Sequence, residues 1–167
     1  VGSIERKRKE KSAPKLYDLT TLQREANRYY GFTASQTLKI VQELYDEKLV
    51  TYPRTDSQYI TEDMQQTMTD LFKHYGGETD GVKQVVNNKK VTDHHAILPT
   101  LESCKRGSNS LSRDKEKVFA LIVWKMQQAV QPPYIYEDVL VTVCCQDRKF
   151  TAKYKNVLQA GHTAMPV

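Results

Sequence analysis

Residues 31 to 47 read Gly31-Phe32-Thr33-Ala34-Ser35-Gln36-Thr37-Leu38-Lys39-Ile40-Val41-Gln42-Glu43-Leu44-Tyr45-Asp46-Glu47, and the fold class turns on this stretch. Thr33 followed three residues later by Gln36 is a capping-box signature. Ala34, Leu38, Val41 and Tyr45 then recur at i, i+4, i+7 and i+11 as one buried stripe, which Ile40 and Leu44 widen. A helix over about 34–47 is predicted. Upstream, Thr20 and Gln23 repeat the capping signature and Gly31 supplies a stop. Two helices therefore meet at a short glycine-containing turn, the pattern of a helix-turn-helix.

Working outward, Thr61 with Glu62 and Asp63 opens a third helix, since acidic groups in a first turn favour the dipole. That helix ends near Gly76-Gly77, with Met64, Met68, Leu71 and Phe72 as core material. Residues 76–90 are polar, glycine-containing and asparagine-rich apart from Val85-Val86, and read as a surface loop. Ser112 starts a long, mostly buried helix that runs through about Val130 and is closed by Pro132-Pro133; Trp124 within it reads as packing. Beyond the prolines, Tyr134 to Cys145 and Lys149 to Tyr154 are rich in β-branched and aromatic residues around the turn-like Gln146-Asp147, a hairpin pattern. The strand-like start, Val1 to Glu5, is expected to pair with that hairpin. The basic run Glu5-Arg6-Lys7-Arg8-Lys9-Glu10-Lys11 reads as a solvated connector able to touch backbone phosphate. The expected organisation is mixed and mainly α: a strand and connector over 1–16, a helical domain over 17–131 and β-strands over 132–167.

The chain has 167 residues, enough to bury an ordinary core. Hydrophobic content of 39% and charged content of 27% are those of a soluble globular protein, and no apolar run is long enough to cross a bilayer. Twenty-five basic against twenty acidic residues give a net charge of +5, a bias that suits a polyanionic partner. Cys104, Cys144 and Cys145 show no Cys-x-x-Cys spacing, so neither a disulfide framework nor a zinc site is indicated and a reducing cytoplasm is expected.

The chemistry is concentrated in Val50-Thr51-Tyr52-Pro53-Arg54-Thr55-Asp56-Ser57. Proline holds the residue before it extended, and in an extended chain residues i and i+2 point the same way. Tyr52 and Arg54 should therefore project to one side, a potential nucleophile beside a phosphate clamp. A phenol is mostly protonated at neutral pH and attacks only where cations or a base favour its phenolate. An arginine can supply that charge and then grip phosphate oxygens bidentately as negative charge builds on them. Thr55, Asp56 and Ser57 are candidates for orienting a strand of DNA.

The octet resembles the active-site segment of type IA DNA topoisomerases, and two flanking stretches match that family in the same order. Leu22-Gln23-Arg24-Glu25-Ala26 resembles the family's Leu-Gln-x-Glu-Ala helix, and His94-His95-Ala96-Ile97-Leu98-Pro99-Thr100 resembles its His-x-Ala-Ile-x-Pro-Thr motif. The resemblance spans roughly residues 1–160 and is nearest to the topoisomerase III branch. It implies that Tyr52 is the nucleophile, cutting one strand and keeping its 5′ phosphate as a phosphotyrosine. It implies that Arg54 stabilises the scissile phosphate and that His94 lies near it.

On that resemblance the helical domain is a catabolite-activator-like winged helix that carries the tyrosine, with Leu49 to Tyr52 as a short strand after the helix pair. The strands would belong to a β-rich arch domain that is only partly present. Gln23 and Lys39 are further candidate DNA contacts, although the second helix offers no strongly basic face. Single-stranded DNA and negatively supercoiled duplex are the implied substrates, resealed without ATP, and the remaining domains of the same polypeptide are the implied partners. The resemblance also implies Mg2+, with ligands in an acidic domain that nothing here resembles. The chain, starting at Val1 and stopping at Val167, thus reads as a middle piece that is inactive alone. No metal ligands are assigned within it: His94 and His95 are adjacent, and on an extended segment they point opposite ways. A non-enzymatic winged-helix DNA-binding module is the alternative, and it predicts DNA binding without any covalent adduct.

Overall fold

In the computed structural model, which describes residues 2–77, 79–106 and 111–165, the chain divides into two compact units, Pro14–Gln131 and Val1–Ala13 with Pro132–Pro166. The first unit is helical. Helix α1 (Leu19–Tyr30) begins where Asp18, in extended conformation, accepts a hydrogen bond from the Thr21 N–H, and ends where Gly31 takes a left-handed φ of 71°. The cap expected at Thr20 thus belongs to Asp18, whose carboxylate reaches an orphan N–H while Thr20 lies inside the first turn. Helix α2 (Ala34–Asp46) starts as expected, with the Thr33 hydroxyl accepting from the Gln36 N–H at 3.1 Å.

The inward stripe of α2 differs from the expected one. Thr37, Ile40, Val41 and Leu44 are buried, whereas Ala34 and Tyr45 are exposed. Burial of Thr37 is possible because its hydroxyl donates to the Thr33 carbonyl at 3.0 Å, leaving no unpaired polar atom. The helix is therefore rotated so that Ile40 and Leu44 face the centre of the core, together with Leu22, Ala26 and Ile122.

A 3-10 turn, Glu62–Met64, leads into α3 (Gln65–Tyr75), which Gly76 ends at a φ of 78°. The stretch expected as a surface loop is instead pinned down. It forms two short 3-10 turns, Val82–Val85 and Asn88–Lys90, and buries Val82 and Val85 among Met68, Leu71, Phe72 and Met126. Gly81 permits this approach: a Cβ there would lie 1.8 Å from the Val130 carbonyl oxygen. A short helix α4 (Leu101–Arg106), not anticipated from the sequence, precedes α5 (Arg113–Ala129). Helix α5 joins both core clusters, giving Val118, Leu121 and Ile122 to one and Met126 and Ala129 to the other.

The strand expected over Leu49–Tyr52 is reduced to one antiparallel bridge, Val50 to Pro99. With the bridges Tyr17–Ile97 and Ile60–Val86, it makes up the β pairing of this unit among the described residues, and no wing sheet forms there. Pro53 and Pro99 lack the N–H that a longer ladder would need.

The second unit is a three-stranded antiparallel sheet of order β1-β2-β3, built from β1 (Gly2–Lys11), β2 (Tyr134–Cys145) and β3 (Arg148–Gln159). The basic run expected as a connector is strand throughout, pairing Lys11 with Tyr134 at its far end. Cross-strand ion pairs, Arg6 to Glu137 at 3.3 Å and Lys9 to Asp138, accompany that pairing. Charged side chains on an edge strand also discourage unwanted strand addition. The hairpin turn falls at Gln146, with φ 52°, and β3 runs on past Tyr154 to Gln159.

Candidate active site

Three stretches far apart in sequence converge in the helical unit: the entrance to α1, the octet, and the segment from Thr92 to Thr100. The octet is sewn to the third stretch by backbone and threonine bonds. Thr51 N–H donates to the Leu98 carbonyl at 2.9 Å, Leu98 N–H donates to the Thr51 hydroxyl oxygen at 3.0 Å, and Thr100 N–H donates to the Leu49 carbonyl at 3.0 Å. Pro99 fits here because both backbone bonds flanking its bridge to Val50 are donated by Thr51 and Thr100. Beyond the bridge, Pro53, Thr55 and Ser57 are buried while Arg54 and Asp56 are exposed, the alternation of an extended chain.

Thr55 ties the three stretches into one. Its hydroxyl donates to the His94 carbonyl at 2.9 Å and accepts from the Ser57 N–H at 3.1 Å. Its carbonyl accepts from the Leu19 N–H at 3.1 Å, at the first turn of α1. The Gln58 amide adds a bond to the Thr21 hydroxyl at 3.0 Å, and the Ser57 hydroxyl donates to the Lys90 carbonyl at 2.8 Å.

The result brings Tyr52, Arg54 and His94 together. The rings of Tyr52 and His94 lie 4.3 Å apart between centroids and are inclined at 41°, a separation that sequence alone leaves open. Arg54 and His94 line one cleft of about 430 Å3, together with Asp18, Thr20, Asp56 and Asp93. Arg54 is exposed and forms no ion pair among the described residues, so its five N–H donors are available to an incoming anion. Tyr52 adjoins this cleft through His94 and packs edge-on against Tyr45, 5.4 Å between centroids.

The helical unit also holds a partly buried charge pair. Lys125, 4% exposed, sits 2.8 Å from one Glu25 carboxylate oxygen, and the Tyr17 hydroxyl donates to the other. Burial, and then the bond to Glu25, push the Tyr17 phenol far above its usual range, so it stays a neutral donor. The Tyr17 carbonyl in turn accepts the Ile97 N–H at 2.8 Å. Glu25 and Lys125 thereby fix α1 to α5, and Tyr17 fixes that pair to the segment that carries His94.

Among the remaining candidates, the Gln23 amide donates to the Ala34 carbonyl at 2.9 Å and links α1 to the start of α2. Lys39 is exposed on α2, and Asp56 is exposed at the cleft. Among the described residues no group of three or more His, Cys, Asp or Glu side chains is placed to hold a metal ion. No described helix is long and apolar enough to cross a membrane. Sequence reasoning missed Tyr45, which it assigned to the buried stripe, and Asp18, whose place directly before an apolar helix was the available signal.

The family model for DNA topoisomerase matches residues 1–166. The chain is 38% identical over 179 residues to DNA topoisomerase 3 of Bacillus licheniformis, covering 99% of this chain and 24% of that protein. It is 37% identical over 179 residues to DNA topoisomerase 3 of Bacillus subtilis, with the same coverage. It thus spans about a quarter of the curated relatives it matches. Among solved structures, full-length topoisomerase I from Thermotoga maritima superposes with a TM-score of 0.70 at 24% identity, over 97% of this chain and 28% of that one.

Proposed function

The chain belongs to the DNA topoisomerase family, and from that membership we propose that it carries the nucleophile side of a type IA active site. The reading rests on one observation: the Tyr52 ring stands 4.3 Å from that of His94, which shares its cleft with an unpaired Arg54. The scissile phosphate of a single DNA strand binds against Arg54, whose planar donors match two phosphate oxygens. The Tyr52 oxygen attacks phosphorus, an O–P ester forms, and the bond from phosphorus to the 3′ oxygen breaks. The products are a 5′-phosphotyrosine and a free 3′ hydroxyl, with the phenol proton passing to the departing oxygen. Arg54 stabilises the charge that builds on the phosphate, and His94 is a second cationic or proton-carrying contact. The ester conserves the bond energy, so reversal of the same step reseals the strand without ATP.

The substrates are single-stranded DNA and negatively supercoiled duplex, relaxed or unlinked by passing another strand through the break. Helices α1 and α2 act as a catabolite-activator-like helix-turn-helix that carries the tyrosine rather than reading sequence. Of the candidate contacts to the bound strand, Asp56 and Lys39 are exposed to meet it, whereas Thr55 and Ser57 are buried and, like Gln23, spend their side chains on internal hydrogen bonds that hold the segments beneath it. Mg2+ is held by other domains of the polypeptide, and no step above passes through it. The chain alone binds DNA weakly and does not relax it, and the whole protein works on DNA in the cytoplasm.

The test uses the complete polypeptide carrying these residues, mixed with magnesium and single-stranded DNA labelled at its 3′ end, the end that a 5′-phosphotyrosine retains, and then denatured. Label should stay on the unaltered protein and be absent from Tyr52→Phe, which still binds DNA. Label retained by Tyr52→Phe would overturn the assignment.

A further inference from the structure

Beside the cleft stands a second basic feature that the cleavage step does not use. The ammonium groups of Lys15 and Lys90 converge on the ring of Tyr59, at 5.3 Å and 5.1 Å from its centroid. Both lysines are exposed, and neither has a carboxylate partner among the described residues. Two like charges gathered at one ring repel each other, and the ring face offsets only part of that cost. An anion seated between them would remove the repulsion.

The place is built rather than incidental. The Ser57 hydroxyl donates to the Lys90 carbonyl at 2.8 Å, and its oxygen accepts the Tyr59 N–H at 3.2 Å, so one buried serine holds two of the three residues. The Tyr59 carbonyl accepts the Ala96 N–H at 2.9 Å. Each member also continues a segment that lines the cleft: Lys15 lies three residues before Asp18, Tyr59 three after Asp56, and Lys90 two before Thr92. Three residues of extended chain span at most about 11 Å, so the cluster lies within a few nucleotides of Arg54.

We propose that Lys15, Tyr59 and Lys90 form a second phosphate-binding site, which grips a neighbouring backbone phosphate of the strand whose scissile phosphate lies at Arg54. This deepens the cleavage reading and rests on it. The two lysines supply sequence-independent attraction, as in other grooves that track a single strand by charge with aromatic side chains interleaved. The site sets where the strand lies before chemistry begins.

The test measures binding of a fluorescent single-stranded oligonucleotide to the complete polypeptide carrying these residues by anisotropy, between about 20 and 200 mM salt, where lysine–phosphate pairing dominates the salt dependence. The unaltered polypeptide, Lys15→Gln with Lys90→Gln, and Lys15→Arg with Lys90→Arg are compared. Each single-strand phosphate left without its cation lowers the slope of log K against log salt by about 0.7, so the double glutamine variant, which frees the one phosphate both lysines grip, should lose about 0.7 and the arginine variant should keep the slope. A glutamine variant with unchanged slope, against an unaltered polypeptide that binds with clear salt dependence, would overturn the second site and leave the cleavage reading standing. A complete polypeptide that binds no single-stranded DNA at all would sink both.

Discussion

The Thr55 hydroxyl makes two bonds, one to the carbonyl of His94 and one from the N–H of Ser57, and no apolar side chain can replace either. Thr55→Val keeps the shape and strands both partners, so chemical denaturation should show a loss of about 1–3 kcal/mol. Thr55→Ser should recover most of it. Lys125→Met leaves the Glu25 carboxylate half-buried with only the Tyr17 hydroxyl beside it, and a loss of about 3 kcal/mol is expected by the same measurement. Tyr17 adds a pH dependence. The folded phenol is held above its ordinary value while the unfolded one titrates near pH 10, so the stability it contributes is complete below about pH 10 and is lost as pH rises further. Urea midpoints followed between about pH 8 and 11 should fall more steeply for the parent chain than for Tyr17→Phe. The alternation of buried Pro53, Thr55 and Ser57 with exposed Arg54 and Asp56 follows from the extended chain that the sequence implied there. The partners of Thr55 and Glu25 were not legible, because Glu25 and Lys125 are 100 residues apart and only tertiary packing pairs them.

At the scale of elements, helix ends obey local rules. Thr33→Ala removes the bond to Gln36 N–H and should cost about 1 kcal/mol, read from a denaturation curve. Gly31→Ala forces a side chain into the left-handed region with open space around it, so the backbone alone sets a cost of about 1 kcal/mol. Gly81 is a different case, since a Cβ there overlaps the Val130 carbonyl and the 82–85 turn would have to leave its place against α5. Helices α2, α3 and α5 were legible because their apolar residues repeat at helical period, and in α2 the Thr33 cap is local as well. The turns at Val82–Val85 and Asn88–Lys90 were not, because a short polar stretch with two buried valines carries no period. The reach of β1 through Lys11 was hidden by its charge: a strand exposed along its length needs no apolar alternation.

For the molecule as a whole, the candidate site is an arrangement of segments rather than a motif. Asp18 to Thr20, Arg54 to Asp56 and Thr92 to His94 line one cleft. The ordered matches in the sequence named two of these segments and left their distance open. The structure supplies the distance, and the chemistry proposed for it rests on the family match. A net charge of +5 is too small to announce a DNA path by itself; what matters is where unpaired cations such as Arg54 stand. The most direct measurement is peptide mapping by mass spectrometry of the covalent complex formed by the complete polypeptide on single-stranded DNA. The account predicts one modified peptide, carrying a 5′-linked nucleotide on Tyr52, with a free 3′ hydroxyl on the released strand. A nucleotide on any other residue, or a 3′ linkage at Tyr52, would contradict it.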